Sequence, residues 1–128
     1  MSEVKVFKLE RDEVLRRLRA YAEKKLGGNV LAIVLIGSLA RGDYTAFSDA
    51  DLVVIVESDP RRPMDRALDF IDPSLGVDVE PRVYTLEEIF TMCRQRRLLV
   101  KEVLEHGLLL AGDPKLLERL RECYESAL

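Results

Sequence analysis

Apolar and polar positions recur along this chain with two different periods, and the switches between them mark out the elements. Over residues 11–26 the apolar positions Val14, Leu15, Leu18, Tyr21, Ala22 and Leu26 fall at helical spacing, with Arg16, Arg17, Arg19, Glu23 and Lys24 between them. Asp12 reads as the N-cap of this helix and Gly27-Gly28 as its stop. Ahead of it, Val4, Val6 and Leu9 either pack on the core or belong to a short leading helix. The runs VLAIVLI (30–36) and LVVIV (52–56) are unbroken and rich in β-branched and aliphatic residues, the pattern of strands buried on both faces. Residues 77–84 alternate instead, with Val77, Val79 and Val83 set against Asp78, Glu80, Arg82 and Tyr84. Pro81 cannot donate to a ladder, so this third strand lies at a sheet edge or breaks there.

The remaining elements announce themselves by their ends. Pro63 stands near the start of a short helix over 64–70. Thr85 and Glu88 have the spacing of a capping box, which opens a helix whose apolar positions continue to about His106. Leu108, Leu109 and Leu110 read as a short strand or a core plug. Asp113-Pro114 supplies an N-cap followed by proline at the first helical position, and the last helix runs to about Ser126. The expectation is an α/β fold: a short mixed β-sheet with helices packed mainly on one face.

Composition narrows the function classes. With 128 residues, 48% of them hydrophobic, the chain can bury a core, and one domain spanning 1–128 is expected. A net charge of −3 without a basic tail argues against general nucleic-acid binding. There is no apolar run of transmembrane length and no signal-peptide pattern, so a cytoplasmic protein without membrane attachment is expected. Cys93 and Cys123 have no metal-ligand spacing and read as ordinary thiols, and His106, the only histidine, reads as a helix-end residue. The arginines of 61–66 and the basic positions Arg94, Arg96, Arg97 and Lys101 read first as solvated surface.

The chemistry concentrates in residues 37–54, GSLARGDYTAFSDADLVV, between the two buried strands. Asp49 and Asp51 are two apart at the mouth of a strand and project from one face. Two such carboxylates repel unless a proton or cation lies between them, and a hard divalent ion such as Mg²⁺ suits oxygen ligands of this kind. Opposite them, Gly37 and Ser38 break the first strand, and glycine lets a phosphate approach backbone N–H groups. Metal on one side and a phosphate cradle on the other make a nucleoside triphosphate site.

The pattern G-S-x-x-R-G-x-x-x-x-x-S-D-x-D-L-x-V resembles the signature of the polymerase-β-type nucleotidyltransferase superfamily, most of all its minimal nucleotidyltransferases. Gly37, Ser38, Arg41, Gly42, Ser48, Asp49, Asp51 and Leu52 fall on its positions. The resemblance implies a polymerase-β-like core and two Mg²⁺ ions bridged by Asp49 and Asp51. It also implies ATP as nucleotide donor, with Gly37 and Ser38 holding its β- and γ-phosphates. Ser48 would orient Asp49 or contact phosphate, and Arg41 would brace the loop or reach phosphate. The family's third carboxylate sits on the next strand in a hydrophobic-Asp-hydrophobic setting. Val77-Asp78-Val79 matches it, which selects Asp78 as a catalytic and metal-binding residue, with Glu80 as the alternative.

Relatives of this minimal kind are commonly paired with a small helical HEPN-domain RNase as toxin–antitoxin systems, and transfer AMP to a tyrosine of that partner. The resemblance therefore implies transfer of AMP to a hydroxyl of a partner protein. Two alternatives stay open: a module that neutralises its partner by contact alone, and nucleotidyl transfer to a small molecule or an RNA end.

Overall fold

The computed structural model describes residues 3–45 and 48–127. In chain order it contains α1 (Glu3–Lys25), β1 (Val30–Ile36), α2 (Ser38–Arg41), β2 (Ala50–Val56) and α3 (Pro63–Ala67). Two 3₁₀ turns follow, then β3 (Val79–Thr85), α4 (Leu86–Arg94), α5 (Leu98–His106), β4 (Leu108–Gly112) and α6 (Pro114–Ser126). The strands form one mixed sheet in the order β3-β2-β1-β4. β1 pairs antiparallel with β2 and β4, while β2 pairs parallel with β3. The expected α/β architecture is present, and no described helix is long and apolar enough to cross a membrane.

Both faces of the central strands are covered, which is why β1 and β2 read as continuous apolar runs. Ile33 and Leu35 of β1, with Leu52, Val54 and Val56 of β2, pack under α1 through Val14, Leu18, Tyr21 and Ala22. Ala32, Val34 and Ile36, with Val53 and Ile55, pack against α4, α5 and α6 through Ile89, Val100, Val103, Leu116 and Leu120. Three of the long helices thus share one face, and α1 covers the other together with Leu39 of α2 and Phe70 and Leu75 of the 3₁₀ turns. β3 is an edge strand, so Pro81 sits where its missing N–H does least harm.

Three elements differ from the sequence pattern. α1 runs from Glu3 straight through Asp12, because no glycine or proline interrupts the chain before Gly27. The leading residues therefore form helix; the side chains of Val4, Val6 and Leu9 lie outside the described ones. The third strand starts at Val79 rather than Val77. The helix expected from Thr85 to His106 is two helices. Arg96 adopts the left-handed conformation, φ 52°, and the N–H of Arg97 donates to Met92 C=O, which closes α4 with a Schellman turn. That position usually takes glycine. Here the Arg96 guanidinium bonds the Tyr124 carbonyl and stacks 4.1 Å from the Tyr124 ring, which holds the turn in place of a permissive residue.

The arginines after β2 are structural. Arg66 is buried and donates to Glu88 Oε1 at 2.6 Å and to the carbonyls of Asp59 and Arg61 at 2.8 Å each. Glu88 in turn closes the capping box with Thr85. Arg61 pairs with Asp59 and Asp69, and Arg62 with Asp65. Arg66→Ala should cost about 2 kcal/mol in urea unfolding, since it removes a buried guanidinium and leaves part-buried carbonyls and the Glu88 carboxylate without their donor. Cys93 is a buried free thiol, pushed up to about 12 by burial and the neighbouring Cys123, and donates to Leu120 C=O at 3.0 Å.

Candidate active site

β1 ends and β2 begins at the same edge of the sheet, since Ile36 is registered opposite Asp51. The chain leaves β1 at Gly37 with φ 80° and ψ −162°, a conformation essentially confined to glycine. Glycine is needed there for a second reason. A Cβ on Gly37 would collide with Asp51 Oδ2 and stand 3.2 Å from Asp51 Cγ. The Asp51 carboxylate therefore lies directly against the Gly37 backbone. Gly37→Ala should cost about 1–3 kcal/mol, from the forbidden backbone and the clash together, read as a lowered urea midpoint.

The turn after Gly37 is held on three sides. Arg41 N–H donates to Gly37 C=O and Gly42 N–H to Ser38 C=O, closing α2 as a single turn, with Gly42 left-handed at its end. Ser38 Oγ donates to Ser48 Oγ at 3.1 Å, and Ser48 Oγ also accepts from Thr45 N–H at 2.8 Å. The two serines of the motif thus clasp the loop across its ends. Arg41 donates to Glu102 Oε1 of α5 at 2.5 Å and lies 3.4 Å from Asp43 Oδ2. The same Glu102 oxygen accepts from Gly37 N–H at 3.3 Å. Arg41 is therefore a brace between loop and helix.

The acids are arranged by the parallel pairing of β2 with β3. Ala50 is registered opposite Val79 and Asp51 opposite Glu80. The two carboxyls are thus neighbours on adjacent strands, and the Glu80 charge disfavours ionisation of Asp51. Burial, then Glu80, and more weakly Asp49, hold the Asp51 carboxyl above the usual aspartate range, while Arg82 opposes them. Arg82 lies 3.9 Å from Glu80 Oε1. The acid beside Asp51 is thus Glu80 rather than Asp78. Asp78 precedes β3, is exposed, and contributes its backbone carbonyl to Ala50 N–H at 2.8 Å. Asp49 is exposed at the lip of the same edge, one step before β2.

Among the described residues no group of three or more His, Cys, Asp or Glu is assembled as a ready-made metal cage. The donor set nevertheless suits Mg²⁺. That ion is ordinarily held by one or two carboxylates with phosphate oxygens and water completing its shell, and Asp51 and Glu80 supply a carboxylate pair whose mutual repulsion a cation would relieve. Sequence reasoning found the glycine turn, both serines, Arg41 and the Asp49–Asp51 pair. It missed Glu102 and Arg82, which look like ordinary surface charges until the tertiary fold places them here.

The profile of the nucleotidyltransferase domain family matches residues 15–124, which takes in this whole edge of the sheet. The chain belongs to that family. A nucleotidyltransferase-family fold is also what the solved structures share with it. A Sulfolobus solfataricus protein crystallised as a "putative nucleotidyltransferase" superposes with a TM-score of 0.58 at 19% identity, covering 90% of this chain and 92% of that one. A toxin–antitoxin chain crystallised with AMP-PNP gives a TM-score of 0.54 at 20% identity, covering 98% and 89%. A Methanocaldococcus jannaschii relative named "Putative protein adenylyltransferase" is 36% identical over 90 residues, 61% of this chain. This chain spans 58% of the length of that relative.

A cavity of about 850 Å³ lies elsewhere. It lies at the opposite ends of β2 and β3, lined by Glu57, Pro63, Arg66 and Thr85 among others. The seven residues of β2 separate the two ends by about 20 Å. The 61–66 arginines belong to that end and do not reach the carboxylates.

Proposed function

We propose that this nucleotidyltransferase-family chain transfers a nucleoside monophosphate, AMP from ATP, to a hydroxyl of a partner protein. The partner is a small helical HEPN-domain protein, and the pair works in the cytoplasm as toxin and antitoxin. The observation that carries the reading is the Asp51 carboxylate seated against Gly37, with Glu80 beside it, which sets acids next to backbone N–H groups within one turn. Family membership, a relative named for protein adenylylation and a shared fold with a toxin–antitoxin chain support it.

In this reading each residue has one task. The Gly37–Ser38 turn receives the β- and γ-phosphates, since its N–H groups favour anions and glycine admits them closely. Asp49, Asp51 and Glu80 would hold Mg²⁺, which supplies neutralisation of phosphate charge when bound. The attacking hydroxyl oxygen forms a bond to the α-phosphorus as the bond from that phosphorus to the β-bridging oxygen breaks, and pyrophosphate leaves. The hydroxyl proton passes to a carboxylate at this end of the sheet, Glu80 beside Asp51. Ser48 keeps the loop closed over the turn through Ser38.

Pyrophosphate release from ATP and Mg²⁺ tests this. It should require the HEPN partner and fall to background with Asp51→Asn. Release that is equal without any partner would point to another acceptor, and a tight complex with no release would point to neutralisation by contact.

A further inference from the structure

Glu102 projects from α5, outside the motif, yet it is bound to two of the motif's cationic or N–H groups at once. Its Oε1 accepts from Arg41 Nη1 at 2.5 Å and from Gly37 N–H at 3.3 Å. Gly37 N–H is a donor at the mouth of the turn, and the Arg41 guanidinium stands beside it, whereas that of Arg11 is engaged with Leu39 C=O. One carboxylate oxygen therefore sits where a phosphate oxygen would find the same two donors. Glu102 and Arg41 are both partly open to solvent, with side chains 25% and 36% exposed, so an incoming anion can reach the pair. Asp43 also faces Arg41, at 3.4 Å, and can keep it partly neutralised when Glu102 leaves.

We propose that Glu102 is a resident anion of the phosphate cradle, so that a nucleoside triphosphate binds by exchanging with it at Gly37 N–H and Arg41. The inference rests on the nucleotide-transfer reading above and deepens it: a residue outside the motif sets nucleotide affinity. Exchange of one anion for another costs the nucleotide part of its binding energy. It also keeps the donors of the turn oriented when no nucleotide is present. Removing the charge from Glu102 should therefore tighten nucleotide binding, the reverse of what a simple brace predicts. Arg41 is then the group released to the phosphate, so the gain should depend on it.

The experiment measures binding of AMP-PNP with Mg²⁺ by calorimetry, and steady-state transfer in parallel. Glu102→Gln is isosteric, and its melting temperature is recorded beside the wild type. Glu102→Met, which fills similar space without charge, repeats the comparison should the amide form a new bond of its own. The expected result is binding tighter by roughly two- to fivefold, the effect of removing one partly exposed charge pair. KM for the nucleotide should fall without a rise in kcat. The gain should vanish in the Arg41→Gln/Glu102→Gln double variant. Affinity that is unchanged or weaker in both single variants overturns the proposal and makes Glu102 a brace. Absence of AMP-PNP binding to the wild type overturns the nucleotide reading itself, and this inference with it.

Discussion

Asp51→Asn should abolish nucleotidyl transfer and raise the melting temperature of the ligand-free protein in the same step. Asp51 is half-buried between the Gly37 backbone and Glu80. Burial and the Glu80 carboxyl hold its folded-state pKa above the ordinary 3.8 of aspartate. A raised acid pKa means that the folded state binds the proton more tightly than the unfolded chain does. At neutral pH the ionised Asp51 therefore destabilises the fold, and the penalty is relieved as pH falls through the raised folded value towards 3.8. An asparagine carries no charge and can donate to Glu80, so the variant should melt higher than wild type at pH 7 and the gap should close towards pH 4. Transfer should fall by at least about 10³-fold, because the lost carboxylate acts on the reacting phosphate. Mg²⁺ should raise the wild-type melting temperature by binding the folded state, and do so far less in the variant. A variant that melts lower than wild type at pH 7 would refute the repulsion argued here.

Glu80→Gln should reduce transfer by about 10²–10³-fold, whereas Asp78→Asn should stay within about threefold of wild type. Sequence alone selects Asp78, on its hydrophobic neighbours Val77 and Val79. The parallel register of β2 and β3 places Glu80 opposite Asp51 and leaves Asp78 before the strand. In the sequence Glu80, followed by Pro81, matches the family's hydrophobic setting less well. Pro81 weighs nothing against it in the structure, since β3 is an edge strand. Assays of the two variants side by side, with melting temperatures as controls, decide it. Loss at Asp78 with activity retained at Glu80 would mean that the edge rearranges when substrate binds.

What was legible in the chain is what local chemistry determines. Two doubly covered strands show as unbroken apolar runs, and Thr85 with Glu88 or Asp113 with Pro114 mark helix starts by their side-chain bonds. The glycine turn and the Asp49–Asp51 pair are legible because they lie within one continuous loop. The break between α4 and α5 is not, because Arg96 takes a glycine-like conformation held by Tyr124, 28 positions further along the chain. Glu102 is invisible for the same reason. Its role exists only once α5 packs across the end of β1, as its neighbours Val100 and Val103 do on the sheet.

The most direct measurement is the intact mass of the HEPN partner after incubation with this chain, ATP and Mg²⁺. The partner should gain one or more AMP units, and none when Asp51→Asn replaces the wild type. A partner that forms a stable complex with nucleotide-loaded protein and gains no mass would contradict nucleotidyl transfer to it.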